Sequence, residues 1–326
     1  MKTDVVCLGE LLIDFVSADV DCSLAESSGF TKAPGGAPAN VAAGLVKLGR
    51  KASFIGKVGR DPFGEFLTKE LKDAGVEVGG MSVDEEARTT LSFIANRSSG
   101  IRDCIFYRNP GADMRLAPSD LNEASVAVGK IFHFSSVSLS LEPVRSATNQ
   151  ALEWAKKHGL LISYDPNLRL GLWEDEATAR REIRAAFRFA DLVKISEEEM
   201  EFITGFRSLE ESAYDILAQG PKLVVITQGG NGCFFTDGTT SGSFPGHQVQ
   251  VAETTGAGDA FVAGLLAKLT EHLERTGEIK LRVDDVAVEA IRFANAAGAL
   301  ATTKVGAIPA MPSEEEVLRI LESANR

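Results

Sequence analysis

Cysteine is scarce and scattered in this chain. Cys7, Cys22, Cys104 and Cys233 show no CxxC spacing, so they read as small core or half-buried residues. The four histidines, His133, His158, His247 and His272, form neither HxxxH nor HExxH, which argues against a zinc site. No GxxxxGKS or GxxxxGKT string occurs, and this removes the P-loop enzymes. No GxGxxG follows the first apolar run either, so a dinucleotide site at the usual place is disfavoured. Positive charge is also short: 34 Lys and Arg stand against 46 Asp and Glu, net −12, without a long basic run. Nucleic acid and anionic membrane surfaces are therefore not expected partners. No apolar stretch approaches the roughly 18 residues of a membrane span. The N-terminus opens on a strand-like run without a cleavage pattern, so a soluble cytoplasmic protein is expected.

What is present is ordinary globular material. At 326 residues, with 44% hydrophobic and 25% charged residues, the chain suits one large domain with an appendage. Short apolar runs at 5–8, 53–55, 131–134, 160–164, 192–195 and 223–227 have the look of buried parallel strands. Helical patterns lie between them at 63–71, 144–158, 176–189, 260–273 and 286–303, two of them stopping at Gly75 and Gly159. Alternation of this kind predicts an α/β fold: a doubly wound, mostly parallel sheet flanked by helices.

Two stretches break the rhythm. Residues 11–15 follow the first strand without a helix, and 89–96 with 102–108 read as a hairpin around a polar turn at 97–101. These early β segments are expected to form a small lid, from roughly 11–34 and 88–114, inserted in one domain spanning 1–326. Apolar alternate positions at 91–94 and 104–107 would be exposed on an isolated lid, which predicts a homodimer through it.

The sharpest motif is Glu253-Thr254-Thr255-Gly256-Ala257-Gly258-Asp259, opening a long helix. Glycines there let backbone N–H groups approach an anion, and the helix end adds partial positive charge. An aspartate at that end can take a proton from a hydroxyl, although Asp and Gly are equally what a plain helix start favours. Earlier, Gly35-Gly36-Ala37-Pro38-Ala39-Asn40-Val41-Ala42 precedes a second helix running to about Leu48. Asn40 offers donor and acceptor to a small polar ligand such as a sugar. A glycine-proline turn with Asn40 in a first turn is the plainer alternative.

Together, in this order and about this far apart, the two motifs resemble the two signatures of the ribokinase-like carbohydrate kinases. The resemblance covers essentially the whole chain: Asp14, Val58-Gly59-Arg60-Asp61-Pro62-Phe63-Gly64, Thr227-Gln228-Gly229-Gly230-Asn231-Gly232 and Asn295 also match. Within the family, Phe106-Tyr107-Arg108-Asn109-Pro110-Gly111-Ala112-Asp113-Met114 and Tyr164-Asp165-Pro166-Asn167-Leu168-Arg169 are similar to fructokinases. The 2-keto-3-deoxygluconate kinases share the Tyr-Arg pair and stand nearest, while ribokinase lacks the lid string.

What the resemblance implies is phosphorylation of a sugar's primary hydroxyl by ATP, with fructose first among substrates. A keto-acid kinase or ribokinase of the same fold is the alternative, and a non-catalytic sugar sensor is the reading from another class. By similarity, Asp259 is the base and Gly256, Ala257 and Gly258 form the anion hole. Asp14, Gly35, Gly36, Asn40, Arg108 and Arg169 hold the sugar. Lys194, Ser196, Thr227, Gly229, Gly232 and Asn295 hold the nucleotide. Glu199 relays Mg²⁺ through water. Glu253 stands where relatives carry Asp, beside a possible K⁺ site completed by residues 303–309. The helix end is expected to lower the pKa of Asp259, and Asp165 to offer Arg169 a partner.

Overall fold

The computed structural model describes residues 3–96, 102–278 and 281–324. Its strands are β1 (Val5–Leu8), β2 (Leu12–Ser17), β3 (Phe30–Gly35), β4 (Ala52–Gly59), β5 (Glu77–Asp84), β6 (Leu91–Asn96), β7 (Arg102–Tyr107), β8 (Ile131–Ser135), β9 (Leu161–Asp165), β10 (Leu192–Ser196), β11 (Leu223–Thr227), β12 (Cys233–Thr236) and β13 (Ser241–Phe244). The helices are α1 (Ala37–Lys47), α2 (Pro62–Asp73), α3 (Glu123–Ala127), α4 (Val144–Lys157), α5 (Glu176–Ala186), α6 (Glu197–Thr204), α7 (Leu209–Leu217), α8 (Ala257–Thr276), α9 (Asp285–Ala301) and α10 (Glu314–Ala324).

Nine strands form the main sheet in the order β13-β12-β11-β10-β9-β8-β1-β4-β5. From β11 to β5 every neighbouring pair is parallel; β12 and β13 close one edge antiparallel. All six expected runs lie in these parallel strands. Edge strands β5 and β13 escape the pattern because they carry glycines and exposed residues instead of an apolar run, and β12 because it has only four residues. The expected helix at 176–189 ends at Ala186 and tightens into a 3₁₀ turn over Phe187–Phe189.

Side-chain alternation divides the core between two layers. Val5 and Cys7 of β1 join Leu45, Leu67, Leu265 and Ile291, from α1, α2, α8 and α9. Val6 and Leu8 face the other way, toward Leu152, Ile183, Ile203 and Ile216, from α4 to α7. Helices α8 and α9 pack almost backbone to backbone. A Cβ on Gly264 would meet the Ala294 Cα at 3.0 Å, so small residues are required at that crossing.

A separate four-stranded sheet, order β3-β2-β6-β7, makes the lid. Strands β6 and β7 pair antiparallel as a hairpin, while the expected turn at 97–101 lies outside the described residues. The lid segments are anchored to the main body at Asp61. Its carboxylate caps α2 through Phe63 and Gly64 N–H groups, and also accepts the N–H (2.8 Å) and hydroxyl (2.9 Å) of Thr89. No helix among the described residues is long and apolar enough to cross a membrane.

Candidate active site

Strand order turns back at β1, which lies between β4 and β8, and a crevice opens above the carboxyl ends at such a point. Glu10 follows β1, Ser135 ends β8, Asp165 ends β9, Ser196 ends β10 and Thr227 ends β11. Polar residues therefore gather along one rim of an otherwise apolar sheet.

Helix α8 enters this rim through Gly256, whose φ of 79° is the left-handed conformation that suits glycine. A Cβ there would also press within 3.0 Å of Ala307. The helix starts at Ala257, so Asp259 falls in its first turn. Ala257 N–H turns back to the Thr254 carbonyl at 3.3 Å. The amides of Gly258 and Asp259 belong to the first turn, where intrahelical acceptors are lacking.

Asp259 is only 8% exposed, and Asn40 Nδ2 donates to its Oδ2 at 2.8 Å. Burial pushes its carboxyl up to about 6 and Asp165 adds to the rise, against the lowering by Asn40, Lys194 and Arg169. The helix end does not depress it as expected: desolvation outweighs the dipole and the hydrogen bond. Asn40, the fourth residue of α1, keeps its Oδ1 buried and unpartnered. An acceptor left open beside the carboxylate is what a sugar hydroxyl needs.

Lys194 connects this centre to the next strand. Its Nζ bonds Asp165 Oδ2 at 3.0 Å, and it lies 3.0 Å from where a Cβ on Gly258 would stand. Burial opposes its charge, yet Asp165, Glu199 and Asp259 hold its pKa above the ordinary lysine value. Asp165 is thus taken by Lys194 and not by Arg169, as the sequence suggested. Arg169 is exposed and donates instead to the Leu168 carbonyl at 2.9 Å.

On the lid side, Asp14 of β2 accepts the Ser92 hydroxyl and lies over Gly35, where any Cβ would strike its carboxylate. Arg108 is buried in an ion pair with Asp113, at 2.7 Å, and donates to Ser140 at 3.3 Å. On the other side, Thr227 donates to the Ile195 carbonyl, and Gly229 begins a 3₁₀ turn that ends at Gly232. Asn295 of α9 donates to the Pro245 carbonyl at 2.8 Å, and Gly232 packs against the same 244–246 segment. Of the sequence-predicted nucleotide residues, Gly232 and Asn295 therefore meet at the 244–246 loop, while Thr227 at the end of β11 and Gly229 in the following turn are not shown in contact with it.

Between lid and rim lies a cleft of about 1000 Å³. Arg108, Asn109, Asn167, Arg169, Lys194, Ser196 and Glu199 line it, with Cys104, Ile105 and Phe106 from β7. Lys194 belongs both to this lining and to the surroundings of Asp259.

The pfkB family carbohydrate kinase profile matches residues 2–314. The chain is a pfkB family carbohydrate kinase. Among curated relatives it is 46% identical over 321 residues to "Fructokinase-1" of Oryza sativa subsp. japonica, covering 98% of each chain. Among solved structures it resembles the fructokinase of Xylella fastidiosa with bound ATP, with a TM-score of 0.90, 31% identity and all of both chains covered. The fructokinase of Vibrio cholerae O395 with fructose, ADP and calcium gives a TM-score of 0.85 at 32% identity, over 98% of this chain and 99% of that one. A double mutant of that protein holds fructose, ADP and potassium.

A kinase needs its phosphates neutralised, and the donor set here is sparse. Among the described residues no group of three His, Cys, Asp or Glu is placed to hold a metal. Glu199 lines the cleft from the start of α6, accepting the N–H groups of Ser196 (3.0 Å) and Leu168. One fixed carboxylate on the cleft wall would suit Mg²⁺, which keeps several waters. Glu253 is different: Thr255 donates to one carboxylate oxygen at 2.5 Å and Gly306 N–H to the other at 2.8 Å. Its longer side chain itself spans to the 303–309 loop, which leaves a poor fit for an ion between them.

Three further residues near this crevice have no catalytic or binding role assigned from the sequence. Asp165 bonds Lys194, Glu10 lies buried against Ala37 at the start of α1, and Asn167 holds a positive φ of 45° on the cleft wall. The signal for the first two is positional: each is an acid at the carboxyl end of a buried parallel strand.

Proposed function

We propose that this kinase transfers the γ-phosphoryl group of ATP to the primary hydroxyl of fructose, giving fructose 6-phosphate. The observation that carries the reading is Asp259, buried at the start of α8 and oriented by an asparagine whose acceptor is still open. A carboxyl near 6 is a stronger base than an ordinary aspartate and remains mostly ionised above neutral pH. Asp259 takes the hydroxyl proton while the first-turn amides and Lys194 stabilise charge on the transferring group. Gly256, Ala257 and Gly258 provide the close approach. Mg²⁺ bound with ATP would lower the charge on the phosphate oxygens, and Glu199 would hold it through water. Asp14, Gly35, Gly36 and Asn40 bind the sugar, closed over by the lid. Ser196, Thr227, Gly229, Gly232 and Asn295 carry the nucleotide. A site that consumes ATP fits a cytoplasmic enzyme.

A keto-acid substrate would call for a free cation. Arg108 is committed to Asp113, which leaves Arg169 alone for that task. The test is ADP release across fructose, 2-keto-3-deoxygluconate and ribose. Fructose should give the highest kcat/KM, by roughly tenfold or more; a preference for either competitor refutes the substrate.

The lid also supports a homodimer. Phe15, Phe30, Phe93 and Tyr107 cluster on it, and Tyr107 and Ile105 are 62% and 48% exposed. An apolar face of this kind suits a second copy of the chain. Light scattering after size exclusion should give twice the monomer mass; a monomer at micromolar concentration contradicts it.

A further inference from the structure

Glu10 is a buried acid that the proposed reaction does not use. Glu10 is 5% exposed and stands where the chain leaves β1 for the lid. Its Oε1 accepts the N–H of Ala37, the first residue of α1, at 2.9 Å. Its Oε2 accepts the hydroxyl of Ser135, at the end of β8, at 3.2 Å. One carboxyl group therefore joins the segment going out to the lid, the segment returning from it, and the neighbouring strand. The outgoing and returning segments touch backbone to backbone. A Cβ on Gly36 would come within 2.3 Å of the Glu10 carbonyl oxygen, and Gly36 has a φ of 113°.

A helix start needs no buried acid, because Ser, Thr or Asn satisfies the same N–H without a desolvated charge. Arg108 acts on Glu10 through space while bonded to Asp113, and Asp113 opposes it. Burial pushes the Glu10 carboxyl up to about 7, against the bonds from backbone N–H groups. Acids held this way concentrate at functional sites.

We infer that Glu10 is a positioning residue for the sugar. It fixes the Gly35-Gly36-Ala37 backbone and, through the first turn of α1, the Asn40 amide that holds Asp259. The inference rests on the fructose reading above. Its signature is selective, because the nucleotide side is carried by other elements, β10, β11 and α9.

Glu10→Gln tests it, as a near-isosteric change that keeps an acceptor for Ala37 and sets an amide opposite Ser135. KM for fructose should rise about tenfold or more, with KM for ATP within about twofold. Unchanged constants with a lowered Tm would make Glu10 merely structural and overturn the inference. Should this variant fail to fold, Ser135→Ala leaves the carboxyl in place and carries the same readout. A rise of about threefold in the fructose KM alone supports the role, and equal or absent changes for both substrates refute it. If the unaltered protein does not turn over fructose, the substrate reading fails separately, and the same split is read on whichever sugar of the panel it phosphorylates.

Discussion

Asp259 is held by forces that pull in opposite directions. Removal from water favours the protonated form, while Asn40, Lys194 and Arg169 favour the anion; removal from water wins, leaving the carboxyl at about 6. Since the proposed base must be ionised, kcat/KM should fall as pH drops through about 6, in an acid limb that Asp259→Asn lacks. A limb near 4 would mean that the carboxylate is solvated. The same displacement bears on stability. A folded-state pKa above the unfolded value means that stability declines as pH rises from about 4 to 6 and stays lower above that. Asp259→Asn should therefore stabilise the protein by about 1–3 kcal/mol at pH 7.5, with no gain below pH 4. Urea unfolding at the two pH values measures this. Asp259 and Asn40 are legible in the sequence because glycines announce where backbone must approach a ligand. The direction of the pKa is not, because desolvation depends on what α1 and β9 bring over the helix end. Glu10 is legible as an acid just after a buried strand, but its bonding is not, for the same reason: both its partners are distant, at positions 37 and 135.

Elements place these residues through their ends. Six parallel strands are readable as apolar runs because both faces of each are buried; β5 and β13, at the edges, are patterned weakly, and β12 is short. The motif from Val58 to Gly64 has a mechanical explanation in the fold: Asp61 joins the N-terminus of α2 to the lid segment at Thr89. Burial works against its charge, but four hydrogen bonds from Thr89, Gly64 and Phe63 leave its pKa below the usual aspartate value. That contribution is present above the unfolded pKa and is lost as pH falls through the folded one. Asp61→Ala should cost about 2–4 kcal/mol in urea unfolding at pH 7; a loss under about 1 kcal/mol would show the anchor to be dispensable. Glu253 works just before the start of α8, bridging Thr255 and Gly306. With that span closed by the protein, K⁺ should stimulate turnover by less than about twofold, and Glu253→Asp should increase the stimulation. Strong K⁺ dependence of the unaltered chain would contradict this account of the loop.

At the scale of the molecule, the reaction depends on where the sheet reverses its strand order. That reversal sets the starts of α1 and α8 side by side, so that Asn40 meets Asp259 across 219 residues of sequence. The lid, inserted after β1 and again after β5, closes the opposite wall through β7. The alternation of strands and helices makes the doubly wound sheet legible; the meeting of two helix starts follows from strand order, which no local pattern encodes. The most direct measurement is turnover and fructose binding by Asp259→Asn at pH 7.5. Turnover should fall by about a thousandfold or more, while calorimetry shows fructose bound within about threefold of the unaltered affinity. Activity retained above a few per cent would contradict the assignment of Asp259 as the group that receives the hydroxyl proton.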